Sequence, residues 1–150
     1  MRNIYIGADG AGYFLKEELV SYIREKGYTV TDCGTDSDAS CHYPEFAAAV
    51  CKNVQKDENS FGILVCGTGI GMSMAANKFK GIRAAVCGDT FSARFTRLHN
   101  DANLLCMGAR VIGPGLAKDI VDQFLTNDFE GGRHQIRVDM ISAIEAEQAK

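Results

Sequence analysis

The sequence predicts a doubly wound α/β fold: a parallel sheet of five strands flanked by helices, with an extra helix at the C-terminus. Three observations predict it. Strand-like and helix-like patterns alternate from end to end, which is how βαβ units and a parallel sheet read. A buried apolar run, Phe61–Val65, is followed at once by a glycine-rich turn that opens into a helix. No repeat, linker or low-complexity tract interrupts the 150 residues, a length that suits one core, so residues 1–150 are expected to form a single domain.

Each element has its own reason. Asn3–Ala8 reads as the first strand. Tyr13–Lys26 carries Phe14, Leu15, Leu19, Tyr22 and Ile23 at helical spacing, and Gly27 ends it. Tyr28–Asp32 is the second strand, followed by a polar loop from Gly34 to His42. Pro44 stands near the start of an alanine-rich helix to about Gln55. Gly62–Cys66 is the third strand, and Met72–Asn77 is the helical stretch after the glycine turn. Arg83–Cys87 and Leu104–Met107 are strands four and five, separated by a helix from about Thr90. Gly113-Pro114-Gly115 leads into a helix ending near Thr126, and Arg133–Lys150 is helical again. Five βα units of this size make a Rossmann-like sheet with right-handed crossovers. Ligands of such sheets sit at the carboxyl ends of the strands, near a topological switch point. The terminal helix lies beyond the last unit, free to pack on a second subunit.

Composition narrows the function. With 46% hydrophobic and 23% charged residues the chain reads as a soluble globular protein. A net charge of −3 offers no basic footprint for nucleic acid. No apolar run approaches membrane-spanning length, and no signal-peptide core precedes the first strand. The six cysteines (Cys33, Cys41, Cys51, Cys66, Cys87 and Cys106) form no CxxC pair and read as reduced thiols of a cytosolic, cytoplasmic protein. His42, His99 and His134 show neither HxH nor HExxH spacing, so no metal is expected. Neither glycine loop fits GxGxxG and no Walker A motif is present, which makes a nucleotide-binding module the weaker reading.

Chemistry concentrates in Cys66-Gly67-Thr68-Gly69-Ile70-Gly71. A cysteine at the end of a buried strand is either a packed small hydrophobe or a base, and the glycines beside it let backbone approach a ligand closely. That arrangement suits a thiolate working beside a developing oxyanion, with the Thr68 hydroxyl at the same rim. Asp9, at the end of the first strand, is either a helix cap or a ligand for hydroxyl groups. His99-Asn100-Asp101 is either a helix-end cap or a set of sugar-binding side chains. Arg133 and Arg137 are four residues apart on one helix face, near a helix start where the dipole disfavours cations. They call for an anion such as phosphate, unless they pair with Glu130 and Asp139. Arg110 either joins them or caps the sheet edge.

Taken together, these residues resemble the family of ribose-5-phosphate isomerases type B and galactose-6-phosphate isomerase subunits. The resemblance rests on the run from Cys66 to Gly71, Ala75-Ala76-Asn77-Lys78, Gly81-Ile82-Arg83-Ala84, His99-Asn100-Asp101-Ala102-Asn103, Gly108–Gly113 and Glu130-Gly131-Gly132-Arg133-His134. It implies an aldose–ketose isomerase of sugar phosphates that needs no cofactor or metal. It also implies a homodimer or dimer of dimers whose active sites are shared between subunits. By that resemblance Cys66 is the base, His99 opens the sugar ring, and the backbone at Gly67, Gly69 and Gly71 cradles the enediolate oxygen. Asp9 and Asn100 bind hydroxyls, and Arg110, Arg133 and Arg137 bind phosphate, not all from one subunit. The sequence departs from the family at Gly10, where most ribose-5-phosphate isomerases of this type carry a histidine associated with the phosphate end. Glycine there is expected to open space for one more sugar carbon. Ribose 5-phosphate is therefore the leading substrate, with allose 6-phosphate or galactose 6-phosphate next. A four-carbon phosphate cannot close a furanose ring and would leave His99 little to do. A non-catalytic sugar-phosphate sensor or structural subunit would keep the arginines but has no need of Cys66.

Overall fold

A computed structural model describes residues 1–150. Its five strands are β1 (Asn3–Ala8), β2 (Val30–Asp32), β3 (Ser60–Cys66), β4 (Ala84–Val86) and β5 (Leu104–Gly108). They form one parallel sheet in the order β2-β1-β3-β5-β4. The helices are α1 (Tyr13–Glu25), α2 (Tyr43–Lys56), α3 (Ile70–Ala76), α4 (Thr90–Asn100), α5 (Pro114–Thr126) and α6 (Arg133–Gln148). The expected elements are all present. β2 and β4 are shorter than the sequence suggests because both lie at sheet edges, where pairing stops early and residues stay exposed.

Alternation along β3 divides the core. Ile63 and Val65 face a layer built from Leu15, Leu19 and Ile23 of α1 and Ile120, Val121 and Phe124 of α5. Leu64 and Cys66 face the opposite layer, with Val50 and Val54 of α2 and Met72 and Ala76 of α3. Period-two alternation thus delivers Cys66 to the α2–α3 side.

Two buried cations hold the ends of this sandwich. Lys16 is fully buried on α1, and its ammonium sits 2.7 Å from the Asp32 carboxylate at the end of β2. Asp32 also accepts the Gly34 N–H, at 2.9 Å, which fixes the chain as it leaves β2. At the other end Arg97 is 2% exposed, lies 4.5 Å above the Phe61 ring, and pairs with Asp101 at 2.9 Å. It also donates to the Ala102 and Asn127 carbonyls, tying the end of α4 to the end of α5.

Candidate active site

The carboxyl ends of β1 and β3 meet where the strand order reverses. The chain leaves β1 for β2 on one side and crosses back to β3 on the other. Such a switch point opens the crevice that α/β sheets use for ligands. Ala8 pairs with Val65 in the ladder, and the Asp9 N–H donates to the Val65 carbonyl at 3.2 Å. Asp9 and Cys66 therefore stand side by side at the mouth of that crevice.

Cys66 is buried at the last position of β3. Gly69, at φ +82°, turns the chain back so that its N–H donates to the Cys66 sulfur at 3.1 Å. Only glycine holds that conformation without strain, and a Cβ there would also come within 2.9 Å of the Met107 backbone. The hydrogen bond strengthens when the sulfur carries charge. It also engages the Gly69 amide, one of the three backbone groups expected at the enediolate oxygen. Three other thiols are buried in the core. Burial pushes Cys51 up to about 12 and Cys87 up to about 11, and Cys106 well above its ordinary range. Those three behave as small hydrophobes.

The neighbours of Cys66 are arranged for a polar ligand. Asp9 Oδ1 accepts the Gly12 N–H at 3.0 Å, so the residue steadies its own loop while Oδ2 stays without a protein partner. Thr68 Oγ1 accepts the Ile70 N–H at 3.2 Å, leaving the hydroxyl proton to donate. Arg110 donates its N–H to the Gly67 carbonyl at 3.0 Å and lays its guanidinium over Gly67 with no carboxylate partner. Gly71 also makes room for a side chain: a Cβ there would stand 2.7 Å from the Tyr43 ring. Gly10 corrects the expectation of open space. A Cβ at that position would lie 2.3 Å from the Ala39 carbonyl oxygen and 2.7 Å from that of Asp38, so backbone already occupies the room a side chain would take.

His99 and Asn100 are elsewhere. α4 runs back along the sheet and ends just before β5 begins, at the amino-terminal edge of the strands. β3 alone, with seven residues at roughly 3.3 Å each, separates the two edges by about 20 Å. At this lower edge the His99 ring stacks on His134, with centroids 4.0 Å apart and planes 10° from parallel. His99 Nε2 lies 3.4 Å from the Glu130 carboxylate. His134 is buried beneath it, its Nε2 has no partner, and burial lowers its proton affinity, reinforced by His99 and Arg133. Asn100 ends α4, and the cap is Asp101, in the left-handed region at φ 47°. Arg133 and Arg137 open α6 at the same edge. The ion pairs weighed from sequence do not form: Glu130 faces His99, and Asp139 takes the Gln135 amide at 2.7 Å. Neither guanidinium has a carboxylate partner. The structure thus gathers Asp9, Gly10, Cys66, Gly67, Thr68, Gly69, Gly71 and Arg110 at one end of the sheet, and His99, Asn100, Arg133 and Arg137 at the other.

Sequence reasoning missed His134 and Glu130 as neighbours of His99, and Tyr43 as the neighbour of Gly71, since each meets its partner from a distant element. The ligand atoms of His99, Glu130 and His134 lie within 4.8 Å of one another. Stacked rings aim their in-plane lone pairs in parallel rather than at one point, so they hold a common ion only if a ring rotates. A cavity of about 880 Å³ lies away from Cys66. It runs between α6 and the β4 edge, and Asn100, Arg83, Ile141 and Ile144 line it.

A thiol and a carboxylate at the switch point of a doubly wound sheet define an α/β enzyme acting on a small polar substrate. The family follows from comparison: the chain belongs to the family described as Ribose/Galactose Isomerase, whose model matches residues 4–141. Ribose-5-phosphate isomerase B of Escherichia coli is 50% identical over 145 residues, covering 97% of each chain. A D-erythrulose-4-phosphate isomerase of Pectobacterium atrosepticum is 44% identical over 149 residues, covering 99% of this chain and 98% of that one. The solved structure of ribose-5-phosphate isomerase B of Clostridium thermocellum superposes with a TM-score of 0.95 at 49% identity, over 97% of this chain and 99% of that one.

Proposed function

We propose that this protein is an aldose–ketose isomerase that interconverts ribose 5-phosphate and ribulose 5-phosphate through an enediolate, with Cys66 as the base. One observation carries the reading: the Cys66 thiol stands at the switch point beside Asp9, held by the Gly69 N–H. The names of the relatives in Escherichia coli and Clostridium thermocellum support the substrate. Cys66 takes the proton from C2 of the open-chain aldose, and the electron pair runs through C1 to O1. Return of that proton to C1, with transfer of a proton from O2 to O1, gives the ketose. Positioned proton transfer contributes roughly 10²–10⁴-fold. Thr68 and the turn backbone at Gly67 and Gly71 stabilise the developing oxyanion, where one donor is worth about 10²–10³-fold. Asp9 Oδ2 and Asn100 take sugar hydroxyls, His99 opens the ring, and Arg110, Arg133 and Arg137 hold the phosphate. No cofactor is required, and free thiols suit a reducing, cytoplasmic setting.

The complete site then needs two copies, the Cys66 end of one against the His99 end of the other. Exposed apolar side chains at both ends support this: Ile70 beside the glycine turn and Phe91 at the start of α4, Ile136, Met140 and Ile144 on α6. A two-fold contact covers both sets at once and makes two equal sites. Co-expression of Cys66→Ala with His99→Asn chains tests it. A shared site leaves one site of each mixed dimer intact, so ribose 5-phosphate turnover returns although each parent is impaired. A mixture no more active than its parents rejects the sharing.

A four-carbon ketose phosphate is the second reading, favoured by the relative named D-erythrulose-4-phosphate isomerase. kcat/KM across four-, five- and six-carbon phosphates decides between them.

A further inference from the structure

The segment between β2 and α2 crosses the crevice as a strap. Its start is sewn to β1: the Ala8 N–H donates to the Gly34 carbonyl and the Thr35 N–H to the Ala8 carbonyl, both at 2.8 Å. The fully buried Lys16, through Asp32 and its bond to the Gly34 N–H, fixes the same point. The middle lies on the first loop, where the Asp38 and Ala39 carbonyls occupy the place of a side chain at Gly10. The end reaches the glycine turn, where the Tyr43 ring fills the space that Gly71 leaves. The strap thus touches the β1 side of the crevice at Gly10, one residue from Asp9, and the β3 side at Gly71, in the first turn of α3.

We propose that the strap Gly34–Tyr43, seated by Gly10 and Tyr43, is the end wall of the substrate crevice and sets the length of sugar phosphate the enzyme accepts. This rests on the isomerase reading above. Gly10 is small so that main chain can come down onto it, and the wall is therefore backbone. The strap is hydrogen-bonded to β1 at its start and rests on Gly10 and Gly71 further along. A substrate one carbon longer meets Asp38 and Ala39, while five-carbon and shorter phosphates fit beneath them.

The test uses two single variants that disturb the strap from different ends and leave Cys66, Asp9 and the arginines in place. Gly10→Ala forces Ala39 upward, because the new methyl stands 2.3 Å from its carbonyl oxygen. Tyr43→Ala releases the strap at the glycine turn. kcat/KM is measured with erythrulose 4-phosphate, ribose 5-phosphate and allose 6-phosphate, and melting temperature reports folding. Both variants are expected to raise the six-carbon to five-carbon ratio of kcat/KM by about tenfold or more, the scale of one carbon's fit in a pocket. If one variant does not fold, the other decides. A ratio that stays within about threefold of wild type in a folded variant overturns the strap as length gauge. Wild-type protein inactive on all three phosphates overturns the isomerase reading instead, so the two failures are distinct.

Discussion

At the carboxyl end of the sheet, the groups around Cys66 are placed by short stretches of backbone: a left-handed glycine, a two-strand ladder, a hydroxyl capping the next turn. At the amino end, His99, His134 and Arg137 are placed by helices that meet only in the folded chain, braced by the buried Arg97. The first end is therefore stiff and local, and suits atoms that exchange a proton. The second is assembled from distant parts, and suits binding and orientation. The comparison teaches that one sheet can carry two clusters of polar groups with different tolerances to change.

The largest effect should fall on the first end. Cys66→Ala is expected to keep the fold and ribose 5-phosphate binding while kcat drops about 10³-fold, within the usual range for removing a positioned base. Cys66→Ser should be nearly as poor. Activity near wild type in either would remove Cys66 from the chemistry. The second end should respond in KM. Arg137→Ala is expected to raise KM for ribose 5-phosphate by roughly tenfold to a hundredfold, the scale of one charge-assisted contact, with kcat less affected. Lysine should restore only part of this, since an ammonium lacks the guanidinium fork. An unchanged KM in both Arg133→Ala and Arg137→Ala would reject the phosphate site.

His99→Asn sharpens the contrast within the lower end. It should slow cyclic ribose 5-phosphate about tenfold more than open-chain ribulose 5-phosphate, because only the former needs acid–base ring opening. Equal losses from both sides would end that division of labour. Stability separates the ends too. Arg97→Met should cost roughly 3 kcal/mol in urea unfolding, leaving the Ala102 carbonyl buried without its donor and Asp101 with only its Arg83 partner. A loss below about 1 kcal/mol would show that the α4 end is held mainly by packing.

The smallest effect is titration of His134. Its folded proton affinity lies below the ordinary 6.5, chiefly through burial. The unfolded chain therefore binds that proton more readily, so this contribution is complete above the ordinary value and is lost as pH falls below it. Between about pH 7 and about pH 5.5 the melting temperature should fall more in wild type than in His134→Gln. Parallel curves would mean that the buried imidazole takes up its proton without penalty.

Legibility followed the same divide. The strands, the helices and the setting of Cys66 could be read because each depends on neighbours in sequence: apolar runs, Gly69 after Cys66, Gly27 after α1. What could not be read depends on contacts between distant elements. No spacing announces that His134 will stack on His99, or that Glu130 will face His99 rather than Arg133. Gly10 is the sharper case. Its sequence context suggested room, but the strap that fills this room comes from residues about thirty positions later, and only its backbone does so. A polar loop such as Gly34–His42 shows where a chain can turn, not what it will rest upon.

The placing of the Cys66 and His99 clusters at opposite edges of the sheet bears on the cell through the proposed sharing. If each working site needs two chains, a newly synthesised chain is catalytically silent until it meets another. At scarce expression, activity then grows with the square of chain abundance rather than in proportion to it. Halving the gene dose near that threshold would cut flux about fourfold, while the same change at high abundance would cut it only twofold.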